Sequence, residues 1–176
     1  MRRPDSVQRW IAPAAVLATI ALGGTALASS GAQRSTPACA TSELVVWLNT
    51  ASGGAAAGSS YYKLEFTNLS GRACTLRGYP GVSAVDLRGR QLGRAAGRDP
   101  MTPLRTITLA PRASATAVLR IEDVLNYPAA RCNRTNAAGL RVYPPNQTGA
   151  KTVPFPFLAC SKAAPTYLFV ARVRRA

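Results

Sequence analysis

An export signal followed by an even set of cysteines constrains this chain of 176 residues more than any other feature. Arg2, Arg3 and Arg9 form a basic start, residues 10–22 an apolar run, and Ala26-Leu27-Ala28 the small-x-small pattern read by a signal peptidase. A signal peptide is therefore expected at residues 1–28, with the mature chain starting at Ser29. Beyond it stand Cys39, Cys74, Cys132 and Cys160. Thiols outside the cytoplasm are oxidised, so these four read as two disulfides rather than as metal ligands or nucleophiles. Four cysteines allow three pairings. The sequence-adjacent one, Cys39 with Cys74 and Cys132 with Cys160, is favoured because it ties the first strand to an early one and a long late loop to its base.

A lipoprotein would need cysteine directly after the cleavage site, where Ser29 stands. Retention of the signal as an anchor is the alternative to cleavage: residues 10–28 approach the roughly 20 apolar residues that span a bilayer, although Pro13, Gly23 and Gly24 interrupt them. No second apolar stretch of that length follows. Once the signal is cleaved, no transmembrane span is expected.

The mature chain has the length of one ordinary domain. Residues 29–38 read as a polar leader and residues 39–176 as a single domain. The formal charge of +15 falls to +13 when Arg2, Arg3, Arg9 and Asp5 leave with the signal, three positive charges and one negative. The lysines are only Lys63, Lys151 and Lys162, so nearly all of that charge is arginine and cannot titrate away near neutrality. Histidine is absent. Its absence removes the usual general base near neutral pH, the Ser-His-Asp and Cys-His nucleophile systems and the commonest zinc ligand. A zinc site made of the four cysteines fails on spacing, because no two of them lie two to four residues apart.

From Cys39 onward, short runs of strand-forming residues alternate with Gly, Pro, Asn and Ser clusters, and no helical period persists. Residues 44–48 are β-rich. Residues 53–60 read as a small-residue loop. In residues 61–68, Tyr62, Leu64 and Phe66 alternate with Lys63, Glu65 and Thr67, which gives one buried and one wet face. Further strands are expected at residues 73–76, 82–87, 106–109 and 115–121, the last two as a hairpin, and then at 139–143 and 167–173. Residues 122–128 can hold one helical turn. Residues 151–158 are extended but carry Pro154 and Pro156, which assigns them to a sheet edge. Seven to eight such strands in one exported domain predict an immunoglobulin-like antiparallel β-sandwich with two disulfides, a closed barrel being the runner-up.

The run from Phe66-Thr67-Asn68-Leu69-Ser70 to Cys74-Thr75-Leu76-Arg77-Gly78-Tyr79-Pro80-Gly81 is distinctive. It resembles the F-T-N-x-S then C-T-L-x-G-Y-P-G signature of a family of secreted actinobacterial proteins, the domain of unknown function numbered 4232. The turn around residues 111–115 resembles the family's turn before an alanine-rich strand, and the spacing of Cys132 and Cys160 is similar to its later pair. Arg112 stands where the family's pattern has glycine, which puts the type of that turn in question. The resemblance covers the mature domain and implies an exported, disulfide-bonded, all-β envelope protein; it supplies no catalytic residues. Each residue of the motif also has a structural reading: Asn68 and Ser70 bond a turn, Cys74 anchors a returning strand, and Gly78 and Gly81 bend beside the fixed dihedral of Pro80. The functional reading is that Tyr79 and Pro80 display a recognition surface.

Arg88, Arg90, Arg94, Arg98 and Arg105 cluster around one loop, and Arg172, Arg174 and Arg175 crowd the C-terminus. Such a patch suits an anionic cell-wall polymer, lipid headgroups or an acidic protein. Specific nucleic-acid binding is not expected, since no recognised motif and no aromatic interleaving accompany the basic run. The acids available for chemistry are Glu43, Glu65, Asp86, Asp99, Glu122 and Asp123. The pair Glu122-Asp123 suits calcium or a glycosidase-like carboxylate pair. The expectation is a noncatalytic secreted or wall-associated protein that binds through its arginine-rich loops, with no cofactor or metal. A purely structural secreted domain and a carboxylate-dependent hydrolase are the alternatives.

Overall fold

A computed structural model of the protein describes residues 35–100 and 103–176. The expected signal peptide and most of the polar leader lie outside the described residues. In order the strands are β1 (Leu44–Ala56), β2 (Ser59–Asn68), β3 (Cys74–Arg77), β4 (Gly81–Val85), β5 (Gln91–Leu92), β6 (Gly97–Asp99), β7 (Thr106–Leu109) and β8 (Ser114–Glu122). The four-residue helix α1 (Ala129–Cys132) follows, and then β9 (Arg134–Tyr143), β10 (Lys151–Cys160), β11 (Leu168–Ala171) and β12 (Arg174–Arg175). The chain is nearly all β, with several sheets packed together, as the sequence predicts.

One sheet runs in the order β1-β2-β8-β11-β6, with β12 also on β8; a second runs β10-β9-β4-β5; β3 and β7 form a separate pair. The centre of the first sheet is the long antiparallel register of β2 with β8, in which Leu64 faces Ala117 and Phe66 faces Ala115. Large side chains opposite alanines fill the inner face without crowding. Leu64, Phe66 and Leu119 from this sheet join Val82, Leu140 and Val142 from the second in one buried cluster. Such packing of two apolar faces is the sandwich solution for sheets with one wet side.

The disulfides are Cys39–Cys74 and Cys132–Cys160, the sequence-adjacent pairing. All four sulfurs are thereby used and buried. Ahead of Cys39 the leader is already held: Thr75 N–H donates to Pro37 O at 2.8 Å and Cys39 N–H to Thr75 O at 3.0 Å. Residues 151–160 do form an edge strand, with a register irregularity between Pro154 and Phe157, where proline cannot complete the ladder.

Other local expectations are revised. Residues 53–60 are not a loop: β1 continues through Gly53 and Gly54 to Ala56 and pairs back onto β2 after an irregularity between Asn49 and Gly54. Backbone pairing overrides the low strand propensity of alanine and glycine there. The stretches at 106–109 and 115–121 are not a hairpin either, since β7 pairs with β3 and β8 with β2. The carbonyls of Leu109 and Ala110 instead accept from Asn68 Nδ2, both at 3.2 Å, and the chain turns a corner between sheets. Arg112 takes φ +66° at this corner, the conformation glycine adopts without strain. The last strand is two pieces, broken so that Val173 N–H donates to Gly78 O at 2.9 Å.

Candidate functional site: an arginine–tyrosine cleft

The turn that ends β3 sets the site. Gly78 has φ +112°, which an L side chain rarely adopts, and it swings the chain away from β3 immediately after Arg77. Pro80 is buried and anchors the turn, leaving Tyr79 half-exposed beside it. Arg98 on β6 holds its guanidinium 5.7 Å from the centroid of the Tyr79 ring, within cation–π range. From the second sheet comes Tyr143, the last residue of β9 and the partner of Gly81 in the ladder. Its ring lies against Gly81, with ring carbon 3.4 Å from where a β-carbon would stand.

The turn after Tyr143 completes the wall. Pro144 and Pro145 are buried, and Asn146, at φ +59°, sends Nδ2 to Arg77 O at 3.1 Å. Gln147 N–H donates to Pro144 O at 3.1 Å and closes the turn. These elements, with Leu104 at one margin, enclose an open cleft of about 440 Å³. Its lining includes Arg77, Arg98, Tyr79, Tyr143, Asn146 and Gln147, and among the described residues no aspartate or glutamate. The arrangement offers fixed positive charge, two aromatic rings and two amides to whatever enters.

Of the five loop arginines singled out from the sequence, Arg98 is the one that lines this cleft. Arg88 and Arg90 belong to the turn between β4 and β5, where Asp86 Oδ1 accepts from both of their backbone N–H groups at 2.9 and 2.8 Å. Arg90 Nε also donates to Asp86 Oδ2 at 2.8 Å. The Arg90 backbone N–H, with this guanidinium, holds the Asp86 carboxyl below its usual range. Arg94 is exposed on the crossing from the second sheet to the first, and Arg105 is exposed just ahead of β7. The salt bridges between described residues are Arg72–Glu43, Arg90–Asp86 and Arg120–Glu122, so among the five only Arg90 is tied to a carboxylate in this way. Arg77 was not singled out, being read only as part of a structural motif. Tyr143, Asn146 and Gln147 were missed because their approach to Arg77 depends on β9 pairing with β4. Tyr79 could be found from the motif.

The other acids lie elsewhere. Glu122 and Asp123 line a groove of about 520 Å³ beside the tip of the β1–β2 hairpin, with Tyr62, Phe155 and Phe157 as its aromatic wall. Tyr62 and Phe155 meet edge to face at 5.0 Å. Both carboxylates are engaged. Glu122 Oε1 accepts from Arg120 at 2.5 Å and its Oε2 from the Tyr127 hydroxyl, while Asp123 Oδ1 accepts from Leu125 N–H at 2.9 Å and caps the 3-10 turn Val124–Asn126. Burial, then the bond to Glu122, pushes Tyr127 up to about 12.

Taken together, the sheets, the paired bridges and the cleft define a disulfide-crosslinked, all-β sandwich domain with an arginine- and tyrosine-lined cleft. Among the described residues no helix is long and apolar enough to cross a membrane. The chain belongs to the family described as Domain of unknown function (DUF4232), whose model matches residues 39–173. No curated protein matches it.

Proposed function

We propose that this protein is an exported, noncatalytic β-sandwich that binds an anionic component of the cell envelope through its arginines. The observation that carries the reading is the cleft in which Arg77 and Arg98 stand with no carboxylate among the described lining residues. Export rests on the sequence pattern of residues 1–28 and on the two disulfides, which need an oxidising compartment. The noncatalytic reading is supported by the lack of histidine and by the engagement of Glu122 and Asp123 in local bonds. A cell-wall polymer, a lipid headgroup and an acidic protein surface present the same anionic chemistry, and the open form of the cleft suits a chain passing through it.

The test is sedimentation of the protein with isolated cell walls. Raising ionic strength from about 0.01 M to about 1 M shortens the Debye length from roughly 30 Å to 3 Å, so retention falls steeply if arginines hold the ligand. Retention that ignores salt, or no retention at low salt, rejects the proposal. Replacing Arg88, Arg90, Arg94 and Arg98 together by Gln lowers retention if these side chains bind; unchanged retention assigns them to a solvated surface. The mass of protein recovered from culture medium checks cleavage after Ala28.

A further inference from the structure

We infer that the cleft between the turn at residues 78–81 and the turn at residues 144–147 is a subsite for a single sugar ring bearing a carboxylate or a phosphate. This rests on the envelope-binding reading above and specifies what its cleft would take. Three features of the cleft point the same way. Its two arginines supply planar forks of donors that match carboxylate and phosphate oxygens bidentately. An anion alone, however, would not use the rest of the lining. Tyr79 and Tyr143 are half-exposed at the cleft, and such rings present an apolar face on which the C–H side of a pyranose can stack. Asn146 and Gln147 add amide groups that both donate and accept, as ring hydroxyls do.

The walls are also set before any ligand arrives. Tyr143 is fixed by the β9–β4 ladder, Asn146 is tied to Arg77 O, and Arg98 sits on a strand that pairs with β11 through Val170. Preorganised side chains lose little freedom on binding, which favours a small, rigid ligand. A volume of about 440 Å³ lies in the range of roughly 300–1,000 Å³ that small-molecule sites occupy. An acidic peptide would use the charge, but it would leave the two ring faces and the amides without a defined role.

The test titrates the whole protein, followed by calorimetry and by amide chemical shifts, with glucuronate, glucose 6-phosphate, glucose, acetate, inorganic phosphate and a short oligoglutamate. The two acidic sugars are expected to bind at least about ten-fold more tightly than glucose, acetate or phosphate, the size of one hydrogen bond to a charged group. The ratio of glucuronate to glucose 6-phosphate tells carboxylate from phosphate. Arg98 is exposed, so Arg98→Gln keeps the fold; it is expected to lose about ten-fold in affinity for both acidic sugars, whereas Arg131→Gln, exposed on α1 and outside the cleft, changes neither. Tyr79→Ala is expected to weaken the acidic sugars while leaving acetate and phosphate unchanged.

Free phosphate binding as tightly as glucose 6-phosphate would overturn the inference, as would oligoglutamate binding more tightly than either sugar or an Arg98→Gln protein that binds both sugars normally. Sedimentation with cell walls separates the two levels. Salt-sensitive retention of wild type, unaltered by Arg98→Gln and Tyr79→Ala, sinks the subsite and leaves the broader reading standing. A wild-type protein that the walls do not retain sinks the broader reading.

Discussion

The side chain of Asn68 is fully buried and saturated. Its Nδ2 donates to Arg72 O at 2.8 Å and to the carbonyls of Leu109 and Ala110, while Oδ1 accepts from Ser70 N–H at 2.9 Å and Ser70 Oγ at 2.7 Å. The sequence shows the local half of this network, the turn with Ser70, because Asn-x-Ser is recognisable turn chemistry. The distant half, across 41 residues to Leu109, has no local signal. Asn68→Ala would remove the donor to the buried Leu109 carbonyl and to the partly buried carbonyls of Arg72 and Ala110, and is expected to cost about 3 kcal/mol in chemical denaturation. Tyr167 makes a second prediction at this scale. It is fully buried, and burial pushes its hydroxyl up to about 12 from an ordinary value of about 10. A raised pKa means the folded state keeps a proton that the unfolded chain releases, so its contribution is complete below pH 10 and is lost as pH rises toward 12. Thermal melts between those pH values should show falling stability, shallower in Tyr167→Phe; an unchanged slope would show that Tyr167 contributes nothing to it. Tyr127 titrates in the same window and supplies a remaining part.

Among the elements, the corner between β7 and β8 decides the topology. Alternation marks both strands correctly, yet it cannot tell whether two neighbouring strands pair with each other or with strands elsewhere, because either choice buries the same residues. The corner is held by Arg112 N–H to Asn68 O at 2.7 Å and Ala113 N–H to Ala110 O at 3.0 Å. Arg112 reaches φ +66° there at a cost that glycine avoids. Arg112→Gly is therefore expected to stabilise the domain by about 0.5–1 kcal/mol, the relief of left-handed strain less the extra freedom glycine gains when unfolded. A lowered melting temperature in this variant would show that the guanidinium, not the backbone, matters at the corner. The same limit of local reading applies to β6. Gly97, Arg98 and Asp99 look like loop in the sequence, and they become a strand only through parallel pairing with β11. That pairing is what carries Arg98 to Tyr79.

For the whole molecule, a basic surface and a modest length are offset by crosslinks. The Cys39–Cys74 and Cys132–Cys160 bridges span 35 and 28 residues, and the chain-entropy model assigns each about 3–4 kcal/mol. Replacing Cys132 and Cys160 together by Ser is expected to lower unfolding stability by that amount, a large share of the roughly 5–15 kcal/mol typical of a domain. Stability unchanged by the double substitution would mean the late loop is ordered without its bridge. The all-β class and the sandwich were legible because period-two alternation and frequent turn residues are local properties. The bridging cysteines were legible because compartment and parity constrain sulfur chemistry, and their pairing followed sequence order. Sequence alone thus determined the kind of fold, the presence of disulfide crosslinks and the charge, all of which depend on composition and near neighbours, whereas the choice among three possible pairings fell to the structure. Only the tertiary structure decided that Arg98 joins Arg77, Tyr79 and Tyr143 while Arg88, Arg90, Arg94 and Arg105 lie outside their cleft. The reason is that β3, β4, β6 and β9 meet through pairings between residues far apart in the chain, and no local pattern encodes which distant strands come together.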